Sequence, residues 1–204
     1  MIGSSVLRAD ARGKVTGTAP YAGDLVQRDM LAMKIMFARR PHARVLNMDI
    51  QRAKAHPGVV DIFTARDVPV NEYGIDTRDQ PVLVGPGSQK PGAGVARFVG
   101  DQLAFVIAES EPAAATGRDL ISVDWEELHV IVDPREGIKP DAPRLFPDHD
   151  TNVFAKLRVR KGDVETAWPR CAAVVEAEYR TPFQEHAYLE PEAGTWGTWT
   201  NRVV

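Results

Sequence analysis

The chain has 204 residues, 44% hydrophobic and 26% charged, with 25 basic against 28 acidic side chains and a formal net charge of −3. That is the composition of a globular chain long enough to bury a core unaided, and its near-neutral balance excludes a broad basic footprint for nucleic acid. One cysteine, Cys171, excludes an intramolecular disulfide framework, a multi-cysteine zinc site and an iron–sulfur cluster with all its thiolates from this chain. No apolar run approaches the ~18 residues needed to span a bilayer. The opening MIGSSVLRADARGK has no apolar signal segment, so the expected compartment is the cytoplasm.

In chain order, residues 31–38 (LAMKIMFA) form an apolar run expected to be a buried strand. Residues 41–43 read as a turn. Residues 44–50 set Val45, Asn47 and Asp49 against Leu46, Met48 and Ile50, the alternation of a half-exposed strand. A short helix over 51–56 is expected to stop at Pro57-Gly58, ahead of a strand at Val59–Thr64. Residues 80–96 carry three prolines and four glycines, the composition of a flexible surface loop. Residues 102–108 (QLAFVIA) give the clearest buried strand, after which Ser110 caps a helix with Glu111 and Pro112 in its first turn. Strands are expected at 121–125 and 130–132. The proline-rich and charged residues 133–151 read as a connector, and beyond it strands at 153–159 and 172–179 flank a short helix at 162–168 with Asp163 near its start. Strands and short helices mix without βαβ regularity, so the fold class is α+β, with units at 1–132 and 152–204.

The chemical motifs are sparse. Gly87 and Gly92 have P-loop spacing, but Ala93-Gly94 follows where Lys and Ser/Thr would be needed, so the segment reads as a loop. None of the five histidines sits in a recognised metal-ligand spacing, and Asp148-His149-Asp150 behind Pro147 suits a turn. Cys171, beside an apolar run, is expected to be buried. No G-x-S-x-G elbow is present, and a hydrolase built on Glu190 and Glu192 lacks a nucleophile–base pair. The most unusual stretch is 181–192, TPFQEHAYLEPE. If extended, it places Gln184, His186, Tyr188 and Glu190 on one face, a group able to orient a polar ring by hydrogen bonds.

An ordered series of motifs resembles the large subunit of the molybdenum hydroxylases, the family of xanthine dehydrogenases, aldehyde oxidases and aerobic carbon monoxide dehydrogenases. It begins with Arg8-x-Asp10 and Lys14-Val15-Thr16-Gly17-Thr18-Ala19-x-Tyr21-x-x-Asp24. Pro41-His42-Ala43-Arg44-Val45, Pro57-Gly58-Val59, Thr64-Ala65-Arg66-Asp67-Val68-Pro69 and Phe98-Val99-Gly100-Asp101-Gln102 follow. Gly162-Asp163, Glu176-x-x-Tyr179-x-Thr181-Pro182 and Gln184-Glu185-His186-x-Tyr188-Leu189-Glu190-Pro191-Glu192 complete it.

The resemblance implies an α/β hammerhead-like domain over 1–132, a connector over 133–151 and the beginning of a molybdopterin-binding region over 152–204. It implies hydroxylation of a heterocycle or aldehyde carbon with oxygen from water. Electrons would leave through iron–sulfur clusters to FAD or another acceptor on other subunits. Glu190 matches a substrate-facing glutamate of xanthine-oxidising members, with Gln184, His186 and Tyr188 as its neighbours. The family's Gly-rich cofactor loop, pterin contacts and catalytic base lie beyond the matched stretch. The chain is therefore expected to work only with a further molybdopterin-binding chain, an iron–sulfur subunit and a flavin subunit, whether it is a split subunit, a truncated product or a fragment. The alternative is a non-catalytic scaffold that keeps the hammerhead fold.

Overall fold

The computed structural model describes residues 2–75, 77–188 and 194. Chain contacts divide it into a unit spanning Asp29–Arg158 and a second formed by residues 1–28 with 159–204. Among the described residues, no helix is long and apolar enough to cross a membrane.

The Asp29–Arg158 unit contains two antiparallel three-stranded sheets. Strands β1 (Ala32–Phe37), β2 (Ala43–Asp49) and β3 (Val59–Thr64) match the apolar segments expected of them. So do β5 (Gln102–Ala108) and β6 (Ser122–Glu127), while β4 (Val95–Ala96) is a two-residue addition. One sheet has the order β1-β5-β3 and the other β4-β2-β6. In the first, Val106 pairs with Lys34 and Ile62, and Phe105 with Ile35 and Phe63. In the second, Arg44 faces Glu126 across the ladder and forms an ion pair at 3.1 Å.

Each main ladder contains a one-residue irregularity. Leu46 is the extra residue in β2, Val60 in β3 and Leu103 in β5. An extra residue reverses the side-chain phase beyond it. Val45 therefore faces inward, Leu46 is exposed, and Met48 and Ile50 face inward again. The uniform alternation expected over 44–50 is corrected at Leu46. The same device leaves Leu103 and Ala104 both fully buried.

Two helices complete the core. α2 (Gln51–Lys54) ends before Gly58, whose φ of 84° an L side chain rarely adopts. In α3 (Glu111–Asp119) the Ser110 hydroxyl accepts a hydrogen bond from the Ala113 amide, and Pro112 occupies the first turn. Its Ala114 and Gly117 are buried, and it lies on the β1-β5-β3 sheet over Val59 and Val106. Ala53, Ile62, Ala104, Val106 and Ile121 form one apolar cluster; Ala38, Val45, Val84, Ala96 and Leu103 form the other.

Residues 80–96 depart from the surface loop expected of them. Leu83, Val84, Gly85, Ala93 and Ala96 are buried. At Ala96 the partner is β2, through its pairing with Ala43; at Leu83 it is Asn71. Its side-chain Nδ2 donates to the Leu83 carbonyl at 2.8 Å and its Oδ1 accepts from the Leu83 amide at 2.9 Å. A buried backbone needs both groups satisfied, and one amide side chain here does what a neighbouring strand would do. Pro and Gly report irregular backbone, not exposure.

Other expectations fail for lack of a ladder. Residues 130–132 join no sheet, and Val132 is 90% exposed. Residues 153–159 and 172–179 likewise pair with no strand among the described residues, and Phe154, Leu157 and Val175 are exposed. Apolar alternation gives a segment the capacity to pair, but the ladder needs a second strand. The connector at 133–151 contains α4 (Pro134–Gly137), capped by Asp133. In the other unit, α1 (Ala11–Val15) is followed much later by α5 (Val164–Ala167), whose cap is Asp163, as expected.

A Cβ added at Gly117 would lie 2.7 Å from Val59 Cγ2 and 3.0 Å from Val106 Cγ1. Alanine gains about 1 kcal/mol of helix propensity, but overpacking costs about 1–3 kcal/mol. Gly117→Ala should therefore destabilise the Asp29–Arg158 unit by roughly 1 kcal/mol, read as a lower urea midpoint at unchanged slope.

Candidate functional site

The segment with the densest functional side chains lies at 184–190. Gln184, His186 and Tyr188 are all exposed, and this backbone pairs with no strand among the described residues. The His186 and Tyr188 rings lie side by side, with centroids 6.0 Å apart and planes inclined by 36°. Ala187 between them has φ 53°, a left-handed conformation that interrupts extended backbone. The His186 amide donates to the Glu185 carboxylate at 3.0 Å. An imidazole and a phenol thus sit together as a donor–acceptor pair open to a ligand. Glu190 and Glu192 lie outside the described residues.

The Asp29–Arg158 unit holds a cleft of about 640 Å³ lined by His42, Arg44, Arg97, His129, Arg144 and neighbouring prolines and aliphatics. Arg97 is its structural centre. It donates through Nη1 to the Val95 carbonyl at 3.0 Å, through Nη2 to that of Gly92 at 3.2 Å, and through Nε to that of Leu145. Its guanidinium stacks 4.5 Å from the centroid of the Phe146 ring. Burial pushes its pKa down, while Asp101, Asp148 and Asp79 pull it back up. The planar fork joins the Gly-rich segment to the connector, a job that a point charge cannot do.

His42, one of the few buried polar residues, adds a second tie. Its Nδ1 donates to the His129 carbonyl at 2.6 Å. Asn152 makes a third: it accepts from the Leu145 amide and donates to the carbonyls of Gly137 and Pro143. None of these roles was signalled by the sequence pattern, because irregular backbone sets them and two of the ties, Arg97 to Leu145 and His42 to His129, join remote segments.

Asp148, His149 and Asp150 serve local order. The His149 carbonyl accepts from Arg144, its ring stacks on Phe146 with centroids 5.6 Å apart, and Asp150 faces Arg144 at 3.8 Å. Among the described residues, no three His, Cys, Asp or Glu side chains converge as a metal-ligand set. Cys171 is exposed, not buried as its apolar neighbours led us to expect. It follows the 3-10 turn Trp168–Arg170, and among the described residues those beyond it enter no sheet that would cover it.

Against this geometry, the model of the aldehyde oxidase and xanthine dehydrogenase a/b hammerhead domain matches residues 16–129. The molybdopterin cofactor-binding domain model matches residues 145–201. The chain is 37% identical over 191 residues to a probable xanthine dehydrogenase subunit of Bacillus subtilis (strain 168), covering 93% of this chain and 24% of that one. It is 31% identical to the nicotinate dehydrogenase large molybdopterin subunit of Eubacterium barkeri, covering 95% of this chain and 44% of that one. Among solved structures, the reconstituted CO dehydrogenase from Oligotropha carboxidovorans matches with a TM-score of 0.62 and 30% identity, over 69% of this chain and 17% of that chain. The chain thus spans less than half the length of these relatives.

Two outcomes follow from the geometry. Arg97→Lys removes the planar fork and should cost about 2 kcal/mol; amide hydrogen exchange in residues 143–149 should accelerate while β5 stays protected. Cys171 should react with a thiol reagent such as Ellman's in the native isolated chain, without denaturant.

Proposed function

This chain belongs to the aldehyde oxidase and xanthine dehydrogenase family, and from that premise we propose that it supplies the N-terminal part, or a split subunit, of a molybdenum-dependent hydroxylase. The observation that carries the reading is the order of the two domain matches, hammerhead at 16–129 and molybdopterin-binding at 145–201. The reaction is oxidation of a heterocycle or aldehyde carbon with oxygen from water, and the chain acts only with partner chains. Within it we assign 1–132 to the hammerhead-like domain, 133–151 to a connector and 152–204 to the start of the molybdopterin-binding domain. We place the assembly in the cytoplasm.

When bound, the molybdopterin supplies the molybdenum redox chemistry that the protein's side chains lack. The described residues of the second match do not close a cradle around such a group: Gln184, His186 and Tyr188 lie open. We therefore assign the cofactor mainly to further polypeptide, and iron–sulfur clusters and FAD to other subunits. The 204 residues hold a single cysteine, which cannot ligate a cluster alone. Two relatives are named as a large molybdopterin subunit and as the gamma subunit of a dehydrogenase complex, which supports a multi-subunit enzyme.

For this chain's own residues we propose a substrate-orienting role. The Glu190 carboxylate accepts a hydrogen bond from a ring N–H of the substrate, favouring the tautomer that carries the developing charge. Gln184, His186 and Tyr188 hold its surroundings by hydrogen bonds.

The experiment is purification of the native complex with subunit identification and metal analysis. The expected result is about one molybdenum per copy of this chain, as for a tightly held cofactor; a chain that never accompanies a molybdenum-containing protein would refute the reading. In that complex, Glu190→Gln should lower kcat/KM for a heterocyclic substrate at least ~10-fold, the scale of one charged hydrogen bond, at unchanged molybdenum content.

A further inference from the structure

The cleft of about 640 Å³ in the Asp29–Arg158 unit has one-sided chemistry. Its size falls within the ~300–1,000 Å³ range of small-molecule sites. Arg44, Arg97 and Arg144 line it with two histidines, and no Asp or Glu stands among the described residues of the lining. The chain as a whole carries a formal net charge of −3, so this cationic lining is a local departure. Val45, Val95 and Leu128 give the walls apolar surface beside the charges.

The arginines differ in how they are held. Arg97 is fixed: the carbonyls of Val95, Gly92 and Leu145 take three of its N–H groups, and Phe146 covers one face of the guanidinium. A guanidinium carries five N–H groups, so each terminal nitrogen keeps one more. The carboxylates that offset its burial, Asp101, Asp148 and Asp79, lie outside the lining. Arg44 and Arg144 are about half exposed, paired with Glu126 at 3.1 Å and Asp150 at 3.8 Å. Exposed pairs of this kind are weak, so either side chain can turn to a new anion at little cost. Gly94 keeps the wall low. Its φ is not left-handed, and a Cβ added there would meet no atom within 4 Å. Neither backbone strain nor packing would oppose a side chain at that position.

We propose that this cleft binds a small organic anion, a carboxylate on a flat apolar body. The two oxygens of a carboxylate match paired N–H groups of a guanidinium, and Arg97 offers them from a side chain already immobilised. The aliphatic walls take the body, which a bare inorganic anion would leave in contact with water. Such binding requires no molybdenum and no partner chain, so its failure leaves the proposed function standing.

The test is calorimetric titration of the 204-residue chain with 2-naphthoate at low ionic strength. Saturable one-site binding is expected, at least ~10-fold tighter than for 2-naphthamide, which has the same ring without the charge. Arg44→Gln and Arg144→Gln should each weaken it roughly three- to ten-fold, since each removes one cation from the mouth of the cleft. Gly94→Leu should weaken it at least ~10-fold by occupying the space, with circular dichroism matching wild type. If Gly94→Leu does not fold, the two arginine variants decide. Absence of saturable binding, equal affinity for the amide, or unchanged affinity in both arginine variants overturns the proposal. Inorganic phosphate binding as tightly as 2-naphthoate overturns the assignment to an anion with an apolar body.

Discussion

The architecture of the Asp29–Arg158 unit depends on one strand serving two apolar clusters. β5 pairs with β1 on one side and β3 on the other. Its extra residue makes Leu103 and Ala104 consecutive buried positions. Leu103 joins the cluster of Val45, Val84 and Ala96, while Ala104 and Val106 join that of Ala53, Ile62 and Ile121. Regular pleating would send one of the two neighbours to the outer face. The irregularity lets a short strand contribute to both clusters, and the packing of β2, α2 and the Gly-rich segment follows from it.

Polar ties do the remaining work where no ladder exists. Asn71 stands in for a strand partner at Leu83, and Arg97 gathers the carbonyls of Gly92, Val95 and Leu145. Both organise irregular backbone whose groups must be satisfied. They also explain why a region rich in Pro and Gly lies partly inside the molecule. Strength comes from directed bonds there, and from apolar burial in the sheets.

The strands at Val59–Thr64 and 102–108 were legible because apolar, β-branched runs stand between clear punctuation. The α3 cap was legible because Ser110 precedes Glu111-Pro112, a local signal. Burial at Leu83 was hidden because its backbone is satisfied by the side chain of Asn71, which lies outside the Pro- and Gly-rich segment. The exposure of Cys171 was hidden because apolar neighbours in sequence do not become neighbours in space without a ladder. The family was legible from the order of many short motifs. The grouping of Gln184, His186, Tyr188 and Glu190 rested on local alternation, which Ala187 interrupts within the described part.

The extra residues in β2 and β3 bear on how this sequence can change over evolutionary time. Removing Leu46 would leave Ala43, Val45, Met48 and Ile50 on one face in simple alternation, and removing Val60 would do the same for Val59 and Ile62. Loss or gain of a residue elsewhere in either strand would invert every side chain beyond it. The two bulges are thus the places where these strands tolerate a change of length, and descendants of this sequence should differ by single-residue gaps there more readily than anywhere else in the sheets.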